Sequence, residues 1–323
     1  MAHDLEGANA QTLMWVLDGA LRYLPVAALY DGERYLVERY RQVVMTPASE
    51  SRLKDLPRPA WTVLGLGVSK AHGNFAALPA VPTELRGIIR TVEPATDGVL
   101  PGIIQLDEAF TAQTLWAALQ QQYPVVHIAS HFQFRPGNEA ESFLLLGDGS
   151  HLSLAQLKEQ WNVFRGVDLL TLSACDTAMG SSGATGTEVE GFAVLAQRKG
   201  AKAVVASLWP VADASTQALM QTFYRQRESQ PGMPKVEALR QAQLILLRGQ
   251  GAPPPGLQVA ALSGALAGEI SAAPPRGLDL EPLQQAKGFC GDVAMQPRFV
   301  PSPQAPYAHP YYWAPFILIG NWK

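Results

Sequence analysis

The chain has 323 residues, 47% hydrophobic and 16% charged, with two cysteines and a formal net charge of −3. That hydrophobic content excludes global disorder, and the near-neutral charge gives no basic field for nucleic acid. Two cysteines exclude a disulfide scaffold and a four-cysteine zinc site, so each thiol is read on its own.

The N-terminal MAHDLEGANAQ has no basic segment followed by an apolar one, and no run of about 18 apolar residues is present. A soluble, cytoplasmic chain with reduced thiols is expected, without membrane or direct nucleic-acid contact. Leu13–Leu17 reads as a strand ended by Asp18-Gly19, and Trp61–Leu66 as a second ended by Gly67. Val81–Arg90 reads as a helix with Pro82 in its first turn. Thr111–Gln122 has the 3.6-residue spacing of a helix, and Val125–Ser130 the composition of a buried strand. Phe143–Leu146 is an expected strand, followed by a helix over Ser153–Trp161 and a strand over Val167–Leu172. Glu188–Arg198 reads as a helix whose Glu188 and Glu190 suit its dipole. Ala203–Leu208 is an expected strand, Ala214–Glu228 and Pro234–Leu247 expected helices, and Phe316–Ile319 a last strand.

Alternating strands and helices, with near-continuous apolar strands, predict an α/β fold: a mostly parallel sheet covered by helices on both faces. Residues 249–310 break the pattern. They hold 11 of the 25 prolines and 8 of the 28 glycines, which predicts a long insertion loop inside a single domain spanning 1–323.

In such sheets, functional residues gather at the carboxyl ends of strands. Two ends carry nucleophile-type chemistry: His131 follows VVHIAS, and Cys175, 44 residues later, follows VDLLTLSA. If those strands are parallel neighbours, both side chains emerge on one edge, as a cysteine nucleophile and a histidine base require. Each also has a plain reading alone: a buried cysteine as a small core hydrophobe, a strand-end histidine as a hydrogen-bonded structural residue. The run Gly180–Gly186 supplies a loop beside the thiol. There is no G-x-x-x-x-G-K-[ST], no G-x-S-x-G and no metal motif, so no cofactor and no metal are expected.

The sequence resembles the CHAT-domain peptidases, caspase-like cysteine proteases of the separase branch. Five ordered blocks carry the resemblance: Asp18–Gly32 with Tyr35–Tyr40, which looks like the opening hairpin, then HIASH (His127–His131), LSACDTA (Leu172–Ala178), Gly191–Thr216 and His309–Trp322. The resemblance implies a caspase-like three-layer sandwich, a cysteine endopeptidase with Cys175 as nucleophile and His131 as base, and an oxyanion hole from the backbone N–H groups of Cys175 and Phe132. The family histidine is usually followed by glycine. Here Phe132 keeps the N–H but not a glycine-only conformation, and its ring is a candidate pocket wall.

His127, four residues before His131, is read as structural, and Cys290 as incidental. Asp213 has two readings: the acidic pocket residue that related separases use for arginine, and an N-cap of the following helix. Asp176 is a second substrate-binding candidate. The partners implied are a protein substrate and a regulatory chain or upstream repeat or sensor domain, in a bacterial defence or stress pathway. The alternative is a catalytically restrained scaffold of the same fold.

Overall fold

A computed structural model describes residues 2–135, 138–173, 187–209, 211–230, 232–249 and 302–323. Its centre is a nine-stranded sheet. In chain order the strands are β1 (Thr12–Trp15), β2 (Arg41–Val44), β3 (Val63–Gly67), β4 (Ile89–Arg90), β5 (Leu100–Leu106), β6 (Val125–Ala129), β10 (Leu169–Leu172), β11 (Ala203–Ser207) and β12 (Phe316–Gly320). Between β6 and β10 the chain makes a separate antiparallel sheet of β7 (Phe132–Gln133), β8 (Phe143–Leu145) and β9 (His151–Ser153).

The large sheet runs β1-β2-β12-β11-β10-β6-β3-β5-β4. Every neighbouring pair is parallel except β11 with β12. The expected mostly parallel architecture is therefore present, with β12, β2 and β1 running opposite to the other six. β3, β6, β10, β11 and β12 are buried along their whole length, as strands covered on both faces must be.

The helices are α1 (Ala2–Gly7), α2 (Leu36–Arg39), α3 (Val81–Ile88), α4 (Ala112–Leu119), α5 (Leu154–Glu159), α6 (Thr187–Arg198), α7 (Asp213–Ser229), α8 (Lys235–Arg248) and α9 (Pro310–Trp313). One apolar cluster packs α3, α7, α8 and α9 on one face, through Leu85, Phe223, Leu239 and Trp313. A second packs α4, α6 and the small sheet on the other face, through Leu115, Phe192 and Leu144. Local chemistry sets several boundaries. Thr111 caps α4 by accepting from the Thr114 N–H at 3.2 Å, and Ser153 caps α5 by accepting from the Gln156 N–H at 3.1 Å. α8 stops at Gly249, whose φ of +65° suits glycine.

Three expectations need correction. The opening segment is not a hairpin of strands. It holds two short 3₁₀ turns and one antiparallel bridge, Tyr30 with Tyr35, while β1 pairs in parallel with β2. The Phe143–Leu146 strand belongs to the small sheet, not the large one. β2, β4 and β5 were not expected: β5 reads LPGIIQL, and its proline and glycine are strand-breaking signals. Residues 250–301 of the expected loop, with Cys290, lie outside the described residues, as do Gly180–Gly186.

The amino edge of the sheet hides a charge. The Lys235 side chain, at the start of α8, is fully buried, and among the described residues its Nζ has no hydrogen-bond partner. Burial lowers its pKa from 10.5 to about 8, Asp168 opposing and Lys202 and Arg227 assisting. A base with a depressed folded pKa costs stability while both states are charged, and the cost vanishes as pH rises from about 8 towards 10.5. Lys235→Met should therefore raise stability at pH 7 by up to about 3 kcal/mol. Chemical denaturation should show the gain shrinking between pH 8 and pH 10.

Candidate active site

β3 and β6 are where the sheet's connections diverge: the chain leaves β3 for β4 and β5 on one side, then returns to place β6 on the other. Carboxyl ends at such a switch point form a natural crevice. His131 lies there, two residues beyond β6. The Leu145 N–H donates to its carbonyl at 2.9 Å, and the Ser130 hydroxyl donates to the Leu145 carbonyl at 2.7 Å. The small sheet therefore grips the backbone on either side of the imidazole.

The His131 ring is half-buried and packs on Phe75, with centroids 5.2 Å apart. Its Nε2 lies 2.8 Å from the Ala76 carbonyl oxygen. A carbonyl only accepts, so Nε2 carries the hydrogen and Nδ1 of the neutral ring is the acceptor. That leaves one basic nitrogen with a fixed tautomer.

Phe132 is buried, and its ring sits 5.0 Å from that of Phe192 on α6. The candidate pocket wall is thus a core residue. The Leu145 N–H bond to His131 makes Phe132 and Leu144 a non-hydrogen-bonded pair, so the ladder leaves the Phe132 N–H unused.

Cys175 and Asp176 lie outside the described residues. The strand leading to them is described through Ser173. β10 pairs in parallel with β6, Leu172 beside Ile128, and the Ser173 N–H donates to the Ile128 carbonyl at 2.8 Å. The expected neighbour relation of the two strands holds, and both chains leave the sheet at one edge.

Asp213 is the first residue of α7, and the cap position belongs to Ala212. Its carboxylate Oδ2 accepts from the Ala80 N–H, just before α3, at 2.6 Å. The N-cap reading is corrected to a tie between two helix starts, beside the loop that carries Ala76.

Behind this edge lies a buried polar network that the sequence reading did not assemble. His127 and Thr171 are register partners on β6 and β10, so they share a face. His127 Nδ1 is 3.1 Å from the Tyr224 hydroxyl, and its Nε2 is 2.7 Å from Glu84 Oε1. Tyr224 is 2.8 Å from the Thr171 hydroxyl, and Ser173 donates its hydroxyl to Glu84. Burial holds the Tyr224 phenol well above its usual pKa. One proton arrangement satisfies every group: Thr171 to Tyr224, Tyr224 to His127, and His127 and Ser173 to the Glu84 carboxylate. His127 is structural, as read from the sequence. The signal for Glu84 was available: Val81, Glu84, Leu85 and Ile88 form the buried stripe of α3, so a carboxylate there needs partners.

Among the described residues, no group of three His, Cys, Asp or Glu side chains is arranged to hold a metal ion. A cavity of about 330 Å³, lined by Trp116, Trp161 and Arg165, opens in the loops that precede β6 and β10, at the opposite edge from His131.

The CHAT domain family model matches residues 1–321. No curated protein sequence matches. Among solved structures, the Arg-specific cysteine proteinase gingipain R aligns with 9% identity and a TM-score of 0.45, covering 75% of this chain and 60% of that one.

Two substitutions test the network. Tyr224→Phe leaves His127 Nδ1 and Thr171 without their shared partner and should cost about 1–3 kcal/mol. Glu84→Ala strands two buried donors and should cost about 1–3 kcal/mol for each. Urea unfolding measures both, and the expected order is Glu84→Ala below Tyr224→Phe below wild type.

Proposed function

This chain belongs to the CHAT-domain family, and from that premise we propose that it is a cysteine endopeptidase of caspase-like type. The observation that carries the reading is His131. It stands at the carboxyl edge with Nε2–H committed to Ala76 and no partner at Nδ1 among the described residues, beside the strand that leads to Cys175. Cys175 follows Ser173, the last described residue of that strand, by two residues of sequence. That nearness in sequence, with β6 and β10 as parallel neighbours, supports pairing the thiol with the imidazole.

The chemistry follows from those groups. His131 Nδ1 takes the Cys175 thiol proton, and the thiolate sulfur bonds to the scissile carbonyl carbon. The carbonyl π electrons move to oxygen, where the N–H groups of Phe132 and Cys175 donate to the oxyanion. The C–N bond then breaks, the imidazolium passes its proton to the leaving amine, and an acyl-enzyme remains. Water, deprotonated by His131, attacks the acyl carbon; the C–S bond breaks, the carboxylic acid product leaves, and the imidazolium returns its proton to sulfur. No cofactor enters.

We assign substrate recognition to Asp213, with Asp176 as the second carboxylate, and infer a preference for a basic residue before the scissile bond. Asp213 stands where two helices and the Ala76 loop meet. A controlling chain or domain that acts on the loops after Cys175 and before His309 fits a bacterial defence or stress role in the cytoplasm. The scaffold alternative loses one motive, because the Phe132 ring packs into the core instead of closing a pocket.

Peptide electrophiles carrying arginine should label Cys175 faster than those carrying leucine. His131→Ala should slow the labelling about 10²–10⁴-fold, the usual share of a general base. Neo-termini produced by wild type and absent with Cys175→Ala should identify the substrate. Labelling that ignores His131 favours the scaffold.

A further inference from the structure

Asp107 follows β5 directly and holds a φ of +50°, a conformation that a non-glycine residue seldom adopts. It is also buried. Strain of this kind persists only where surroundings over-determine it. Two sets of contacts do so.

The first set grips the loop after β3. The Asp107 carboxylate accepts from the Ser69 N–H at 2.7 Å, the Ser69 hydroxyl at 2.7 Å and the Lys70 N–H at 3.4 Å. The loop closes on itself where the Leu78 N–H donates to the Ser69 carbonyl at 3.0 Å. Its far end is fixed by the Ala80 N–H on Asp213. Between these anchors lie Phe75, which packs on the His131 ring, and Ala76, whose carbonyl takes the Nε2–H.

The second set reaches the small sheet. The Asp107 carbonyl accepts from the Phe110 N–H at 2.7 Å, and the Phe110 carbonyl accepts from the Gly147 N–H at 2.8 Å. Gly147 packs so closely on the Asp107 backbone that any Cβ there would collide with it. Gly147 lies two residues after β8, whose Leu145 grips the His131 backbone. One residue thus ties the loop that orients the imidazole to the sheet that holds its main chain.

We propose that Asp107 is a positioning residue for His131: it fixes the loop so that Ala76 selects the Nε2–H tautomer and leaves Nδ1 for the thiol. Without the carboxylate the near end of the loop loses its Ser69 tie and keeps only the exposed Lys70–Glu108 pair, so the carbonyl drifts and the two neutral tautomers interchange. Asp107 acts through Ser69 and Ala76, without touching substrate. The inference rests on the peptidase reading for its purpose, but its geometry stands apart from it.

The test uses the full chain with ¹⁵N-labelled histidine, at a pH where His131 is neutral. Imidazole ¹⁵N shifts should show Nε2–H as the dominant tautomer in wild type. Asp107→Gly removes the carboxylate while suiting the positive φ, and should move His131 towards a mixed population. Asp107→Asn keeps an acceptor for the Ser69 N–H and should restore most of the Nε2–H form. Ser69→Ala removes one of the three bonds and should shift the tautomer part of the way, which covers the case of an unfolded glycine variant. Labelling of Cys175 by a peptide electrophile should slow about 10-fold or more in Asp107→Gly, the usual penalty of misplacing a reacting group. A wild-type tautomer in every folded variant overturns the proposal. A shifted tautomer with unchanged labelling supports the positioning and counts against His131 as the base.

Discussion

The parallel register of β6 on β10 is the constraint on which the site depends. Thr171 lies beside His127, and Leu172 beside Ile128. This register sends both strands out of the sheet together, so a residue just past one stands near a residue just past the other. Apolar pattern alone does not set it. Both strands are buried on both faces, so a slip would exchange one apolar side chain for another at most positions. The polar network removes that freedom. A slip of one residue would carry Thr171 away from Tyr224 and turn His127 away from Glu84. It would leave several buried polar groups without partners, at a cost of kilocalories each. The hydrogen bonds contribute less by their own strength than by the penalty for every other alignment.

The same faces explain what was legible in the sequence. VVHIA, LLTL, AVVAS and FILI are read correctly because a strand buried on both faces leaves an unbroken apolar run. α4 and α5 are marked at their starts by Thr111 and Ser153, whose capping role is local. β5 escaped because Pro101 and Gly102 carry strand-breaking signals, and only pairing with β3 and β4 makes the segment a strand. In the small sheet β8 is read as an apolar run, while β7 and β9 escaped because they are two and three residues long, below the length at which alternation can be counted.

Of the site, the sequence shows the residues that carry reactive atoms and hides those that hold them. His131 can be found because strand-end histidines are uncommon and its block is recognisable. Ala76 contributes a carbonyl, which every residue has, so nothing in its identity marks it. Asp107 acts from a loop 24 residues earlier, and its contacts with Ser69 exist only because β3 and β5 are neighbours. Phe132 shows the opposite error. Its position next to His131 suggested a substrate wall, but as a β7 residue it points to the core.

His127 and His131 stand four residues apart, and the period of a strand would put them on one face. The chain leaves β6 between them. His127 stays on the face of α3 and α7, while His131 packs on Phe75, which belongs with the opposite apolar cluster. Their nitrogens differ accordingly. Both nitrogens of His127 are committed, one to an acid that is buried with it and one to a phenol that burial keeps protonated. On His131, a neutral carbonyl binds Nε2–H, and Nδ1 has no partner among the described residues. A carbonyl also accepts well from imidazolium, so the same contact serves the ring before and after it takes a proton. That asymmetry, one nitrogen held by an acceptor that works in both charge states and the other without a partner among the described residues, is what the proposed role of His131 as a base calls for.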